Sequence, residues 1–457
     1  MPRPFVIAAG LVIAAAAVGA PTPVPPPAAA APASAPAPVE RTPSDAGYTV
    51  RLQQADEHGR RWTGTEAITF RNTSDSPLDV VHLRLWPNGP RGCATPRPLV
   101  VHDVRGGTPG ALGVHCTDLG ITLDSPVAAG AVGTVAMDVR IAAPVRRARF
   151  GSWHGRSYLT NALPILAVRQ DGTWQQSPYV GYGESFSSLT ADWDVRLDHP
   201  RGLDVPATGS VVGSRTHGDR VTTHVRATQV RDFAWATGHF RVVTGTARDG
   251  TVVREWYTRH DTRREALRSL HEEALPAMDR FGRWFVDYPY HEVDVVNVDW
   301  NLGGMEYPGL VLSTLPGPTV HELAHQWFYA LVGNDEYADP WLDESFAQYT
   351  NFRFYGASRA SCRGTPSFLA DERITDGMDV WAGDHGAYFN AVYGNGPCAL
   401  SALRDKIGAA AFDRMLRGYV AAHEHGVATT ADFKAAAQAA AGDTDLARFW
   451  RHWRIDG

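Results

Sequence analysis

Apolar positions along the chain change their period near residue 260. From Tyr48 they alternate with polar ones, as in Tyr48-Thr49-Val50-Arg51-Leu52, Ala67-Ile68-Thr69-Phe70 and Trp193-Asp194-Val195-Arg196-Leu197. Period-two segments bounded by Gly, Asn, Asp and Pro predict strands and turns. Further strands are predicted at 220–227, 240–244 and 252–257, so residues 47–248 read as an all-β domain. Near Thr262 the spacing becomes helical. Leu267, Leu270, Leu275, Met278, Phe281 and Phe285 fall on one stripe, with a kink predicted at Pro276. Residues 291–298 and 309–313 read as strands. A helix is predicted from Pro318 to Gly333, burying Val320, Leu323, Ala324, Trp327 and Leu331. Another is predicted from Trp341, with Asp339 as its cap and Pro340 at its first position. Beyond residue 398 the chain is Ala-rich and helical. The pattern predicts an all-β N-terminal domain followed by an α/β domain at 249–457 with C-terminal helices.

The N-terminus breaks this pattern. Arg3 precedes an apolar run from Phe5 to Ala20, the length of an export signal's apolar core. Cleavage is expected after Ala20, where Pro21 disfavours it, or after Ala33, which makes 1–33 the signal peptide. An uncleaved membrane anchor is the alternative. Residues 34–46, rich in Pro and Ala, read as a tether, since such a stretch buries too little to offset its ordering entropy. No later segment is apolar for long enough to cross a bilayer. The protein is therefore expected to be secreted or extracytoplasmic.

Length and composition narrow the classes. At 457 residues the chain exceeds one ordinary core and implies two or three domains. A net charge of −6, with no clustered basic patch, argues against a nucleic-acid partner. Four cysteines, Cys93, Cys116, Cys362 and Cys398, suit two disulfides in an exported protein and permit three pairings. The pairing Cys93–Cys116 with Cys362–Cys398 closes each loop within one domain. No CxxC pair exists to hold a metal.

The candidate chemistry lies in 303–349. His321 and His325, four apart in His321-Glu322-Leu323-Ala324-His325, share one helix face and can hold one zinc ion. Glu322 is turned about 100° away, placed to address water at the metal and not to bind it. Catalytic zinc takes three protein ligands and keeps one open position. After eighteen intervening residues stands Glu344, within Trp341-Leu342-Asp343-Glu344, and upstream lies Gly303-Gly304-Met305-Glu306-Tyr307-Pro308-Gly309.

These three pieces, in this order, resemble the gluzincin zinc aminopeptidases, the family of aminopeptidase N and leukotriene hydrolase. The likeness covers roughly 47–457 and is strong in 290–400, with weaker traces at Leu85-Trp86-Pro87-Asn88, 158–168 and 183–195. It implies a thermolysin-like α/β catalytic domain and one zinc ion held by His321, His325 and Glu344, with Glu322 as general base. It implies that Gly303, Gly304, Met305 and Glu306 bind substrate, Glu306 taking the free α-ammonium. It implies an edge strand at 309–313 that binds substrate backbone. A tyrosine is expected to donate to the oxyanion. Tyr393, in Tyr393-Gly394-Asn395-Gly396, fits the family's Tyr-x-Lys-Gly setting except that Asn395 replaces the lysine; Tyr388 is its rival. Tyr307 stands where the family carries Asn. A second acidic anchor is expected from the β domain, for which Glu184 is a weak candidate beside its reading as a turn residue. The expected function is an exported zinc metallopeptidase acting on peptides with a free N-terminus. The alternatives are a zinc endopeptidase of the same fold and a catalytically silent scaffold.

Overall fold

The computed structural model describes residues 40–298, 303–314, 318–381 and 383–456. The expected signal peptide and most of the expected tether lie outside the described residues. The tether expected through residue 46 ends sooner: Arg41–Thr42 pairs with Arg169–Gln170, and the next strand begins at Ser44.

The β-rich part packs two sheets face to face. One has seven strands in the order Ser210–His217, Arg220–Val230, Ala191–Pro200, Ser44–Gln54, Arg61–Arg71, Val132–Ala142 and Leu99–Arg105. Only the Ala191–Pro200 and Ser44–Gln54 neighbours run parallel. A four-stranded sheet built on Leu78–Arg84 and Asp118–Val127 supplies the opposing wall. Alternation explains the packing: Tyr48, Val50, Leu52, Trp62, Ile68 and Phe70 face inward against Val81, Leu83 and Ile121. Tyr48 stacks on Trp193 with ring centroids 3.9 Å apart.

A separate sheet of five strands carries the candidate chemistry, in the order Arg241–Thr246, Val252–Tyr257, Glu292–Asn297, Leu310–Ser313 and Gly304–Met305. The boundary expected at 248/249 falls in the turn of a hairpin whose two strands both belong to this sheet. Turn residues there mark a hairpin and not a linker. Every residue of Glu292–Asn297 is buried, as befits a central parallel strand covered on both faces. The expected edge strand is also corrected. Leu310–Ser313 is flanked on both sides, and the edge passes to Gly304–Met305, which pairs antiparallel with it.

The helical stretch 263–284 opens with a reciprocal Thr262–Glu265 cap and loosens into a π-turn at Leu270–Ala274. Pro276 follows directly, where a wider turn accommodates a ring that has no N–H to give. The helix predicted to reach Gly333 is regular only over Thr319–Ala324. Beyond it the bonds widen, Ala330 N–H to His325 O and Val332 N–H to Trp327 O, each 3.0 Å. This segment is held from far away in sequence. The buried guanidinium of Arg231 donates to the carbonyls of Tyr329 (2.7 Å), Leu331 (3.3 Å), Ser188 (2.9 Å) and Gly426, drawing the segment out of the helical ladder. Asp339 does not cap the helix Trp341–Tyr355, whose first flanking residue is Pro340; its carboxylate accepts from Thr430 Oγ1 at 2.8 Å instead. Helices Gly396–Ile407, Ala409–Ala422, Thr430–Ala441 and Ala447–Trp453 complete the chain around Trp341, Phe346, Tyr419 and Phe433. Cys93–Cys116 and Cys362–Cys398 are the two disulfides.

Candidate active site

The short helix Thr319–Ala324 and the helix Trp341–Tyr355 lie against each other under the sheet edge. Each contributes through its periodicity. His321 and His325 are one turn apart on the first, and Glu344 and Gln348 one turn apart on the second.

Three ligand atoms converge. Nε2 of His325 lies 3.0 Å from Nε2 of His321, and Glu344 Oε2 lies 3.3 Å and 3.4 Å from the two. A tetrahedral ion with bonds of about 2.0–2.1 Å sets its ligand atoms about 3.3 Å apart. His321, His325 and Glu344 therefore form a cluster able to hold a metal ion, and the donor set fits zinc. The outer nitrogens are also held. Nδ1 of His321 lies 2.9 Å from Gln348 Oε1, and Nδ1 of His325 donates to Asp343, with Phe328 O at 3.2 Å. Protons on both Nδ1 atoms leave both Nε2 lone pairs facing the centre. A second grouping of Glu306, His325 and Asp343 is also close. There Asp343 already accepts from the outer nitrogen of His325, which marks it as a support and not a ligand.

Electrostatics follow from burial and neighbours. Burial lowers the His321 imidazole, favouring its neutral, ligating form. Against burial, the adjacent His321 and His325 imidazoles hold the Glu344 carboxyl well below its ordinary range. Burial pushes Glu322 up to about 8, and burial with the Glu184 carboxylate nearby raises Glu306 well above its usual value. A cation at the centre of these groups would favour the charged form of each carboxylate.

Around the cluster a cleft of about 610 Å³ gathers Gly303, Gly304, Met305, Glu306, His321, Glu322, His325, Glu344 and Tyr393, each expected at the site from the sequence. Gly303 takes φ +82°, a conformation that favours glycine, at the entry to the edge strand. Gly304 lies against Glu322, whose Cδ is 2.1 Å from where a Cβ would stand. Gln326, next to His325, fixes the strap beyond the edge. Its Nε2 donates to the carbonyls of Glu306 (3.3 Å) and Tyr307 (3.2 Å), and its Oε1 accepts from Gly309 N–H at 2.9 Å. Tyr307 turns away from the cleft and donates to Asn161 Oδ1 at 3.0 Å, tying the strap to the β-rich part. Tyr393 sits within a π-turn, Phe389–Asn395, with its ring 6.1 Å from and nearly parallel to that of His321. Tyr388 is buried and is not among the cleft-lining residues.

Glu184, the weak candidate that was read more readily as a turn residue, is a buried wall of the cleft, and it is paired with Arg149, whose Nη2 also donates to Gly183 O at 3.3 Å. Other residues around the cluster were not singled out beforehand. Asp343 and Gln348 had a signal, since each lies within one turn of Glu344 on the ligand helix. Arg149 and Gln326 had none.

Residues 318–453 match the family described as the Peptidase family M1 domain. A puromycin-sensitive aminopeptidase of Caenorhabditis elegans is 25% identical over 247 residues, 48% of this chain and 26% of that protein. Aminopeptidase M1-B of Oryza sativa subsp. japonica is 25% identical over 58% of this chain and 34% of its own length. An aminopeptidase N of Canis lupus familiaris is 30% identical over 34% of this chain and 17% of its own. The chain thus spans about a third or less of the curated relatives it matches. Among solved structures, the M1 zinc metallopeptidase of Deinococcus radiodurans superposes with a TM-score of 0.68 at 18% identity, covering 91% of this chain and 94% of that one. A mutant of that metallopeptidase bound to a Tyr-Ser-Ala substrate gives 0.66 at 19% identity, over 89% and 93%. The chain has the two-domain M1 zinc metallopeptidase fold, a β-rich N-terminal part followed by a helical C-terminal region.

Proposed function

We propose that this chain is an exported zinc-dependent aminopeptidase that hydrolyses the first peptide bond of peptides with a free N-terminus. The observation that carries the reading is the convergence of His321 Nε2, His325 Nε2 and Glu344 Oε2 beside Glu322, in a cleft whose wall also holds Glu306. The M1 relatives named aminopeptidases support the same direction. Export rests on the apolar N-terminal run and agrees with the two disulfides.

His321, His325 and Glu344 hold the zinc. When bound, the ion polarises the scissile carbonyl and lowers the pKa of water toward 7. Glu322 accepts the proton of the attacking water and delivers it to the leaving amine. The Tyr393 hydroxyl donates to the carbonyl oxygen as negative charge develops there. Glu306 pairs with the substrate α-ammonium and fixes the first peptide bond in register. Glu184 serves as the second acidic wall, its charge balanced by Arg149. The edge strand Gly304–Met305 offers its free side to the substrate backbone.

The decisive experiment compares a peptide with its N-acetylated form. Acetylation removes the charge that Glu306 reads and adds bulk where the substrate should end, so turnover should become negligible. Glu306→Gln should weaken free-amine substrates in both KM and kcat while zinc content stays unchanged. Efficient internal cleavage of acetylated peptides would overturn the aminopeptidase reading in favour of an endopeptidase.

A further inference from the structure

Arg231 and Asp232 follow directly on the strand Arg220–Val230 of the β-rich part, yet together they grip the segment beyond His325. Arg231 Nε donates to the Tyr329 carbonyl at 2.7 Å, and Asp232 Oδ2 accepts from the Tyr329 hydroxyl. Held at both ends, Tyr329 keeps φ at 117°, a backbone region that residues with side chains rarely adopt.

The same carboxylate oxygen also reaches the strap that carries Glu306. Asn161 Nδ2 donates to Asp232 Oδ2 at 3.3 Å, and Asn161 Oδ1 accepts from the Tyr307 hydroxyl at 3.0 Å. Tyr307 is the residue after Glu306. Gln326 bonds the backbone of this strap from the zinc helix, and the Asn161–Asp232 chain holds it from the other side. One buried oxygen therefore braces both the residue after Glu306 and the segment after His325. Asp232, Asn161 and Tyr307 are not among the residues lining the cleft.

Asp232 is 3% exposed, and its Oδ1 is buried without a hydrogen-bond partner among the described residues. An unpartnered buried carboxylate oxygen is a cost that merely closing an interface does not require. A charged acceptor does hold its two donors more tightly than a neutral one. Burial raises the Asp232 carboxyl to about 7, so it is mostly charged at pH 8.

We infer that Asp232 is a positioning residue: it sets where the Glu306 carboxylate stands relative to the His321–His325 pair, and so how well the centre recognises a substrate α-ammonium. The inference rests on the reading of Glu306 as the ammonium anchor.

L-leucine and 4-methylpentanoate, which lacks only the α-ammonium, are the probes. Calorimetry with the zinc-loaded protein at pH 8 gives a Kd for each, and their ratio measures ammonium recognition. Glu306→Gln should remove most of that ratio. Tyr307→Phe, which deletes one hydroxyl and keeps the ring, should shrink it about tenfold by weakening leucine alone, and Asp232→Asn should do the same. In the Glu306→Gln background neither change should alter the ratio further. Zinc content and the Kd of 4-methylpentanoate should match the wild type. An unchanged ratio in either folded variant, or equal weakening of both probes, would overturn the inference. A full ratio in Glu306→Gln would instead overturn the anchor reading, and this inference with it.

Discussion

The support behind His325 offers the sharpest test of how the centre is built. The Asp343 carboxylate accepts from His325 Nδ1, and both side chains are about 1% exposed. It holds the proton on the outer nitrogen and enriches Nε2 as a ligand. Partners of this kind are typically worth about 10–100-fold in metal affinity, or about 1.4–2.7 kcal/mol. The structure divides that range between two substitutions. In Asp343→Ala, Phe328 O remains 3.2 Å from Nδ1 and still accepts the proton, so zinc binding should weaken by about tenfold. In Asp343→Asn, the amide can turn its NH₂ toward Nδ1. That contact requires the proton on Nε2, where the ion must sit, so the loss should approach about a hundredfold. Gln348→Leu removes a neutral acceptor behind His321 and should cost less than Asp343→Asn. Competition for zinc against a chromophoric chelator at fixed pH reads these constants. Melting of the zinc-free proteins separates them from any loss of fold. Wild-type affinity in Asp343→Ala, or an asparagine variant milder than alanine, would refute the reasoning.

Glu322→Gln should retain zinc and fold yet lose turnover by about 10²–10⁴, because an amide cannot accept the water's proton; activity within a few-fold of wild type would remove it from the mechanism. Tyr393→Phe should lower kcat by about 10²–10³ with KM little changed. A normal kcat there, with a large fall in Tyr388→Phe, would move the role to Tyr388. Away from the cleft, Glu255 is fully buried, with Ser269 Oγ donating to one oxygen at 3.1 Å and the other unpartnered. Burial raises its carboxyl from 4.5 to about 8. The unfolded chain therefore releases this proton first. The group's contribution is intact below pH 4.5, falls as pH rises, and levels off above about pH 8 after a loss of about 5 kcal/mol. Glu255→Gln should remove that slope, read as the difference in urea stability from wild type at pH 5 and pH 9; a difference that does not change with pH would refute the shift.

The sequence by itself determined the parts whose geometry is local. Residues four apart on a helix share a face whatever surrounds them, so His321 and His325 were legible as a pair; Glu344 was singled out by its place in Trp341-Leu342-Asp343-Glu344, although the cap expected from Asp339 did not form. Alternation in Tyr48–Leu52 was legible as a strand with one buried face for the same reason. Relations between elements distant in the chain were left to the tertiary structure. Arg231, about a hundred residues upstream, holds the carbonyls of Tyr329 and Leu331 in the irregular segment that follows the helix bearing His321. Pairing with Leu310–Ser313 makes Gly304–Met305 the sheet edge. Packing of the β-rich part carries Glu184 and Arg149 to the wall of the cleft that Glu344 also lines. Periodicity states which side of its own element a residue occupies; which elements meet is settled by burial and hydrogen-bond satisfaction summed over the whole core, and no window of sequence contains that sum.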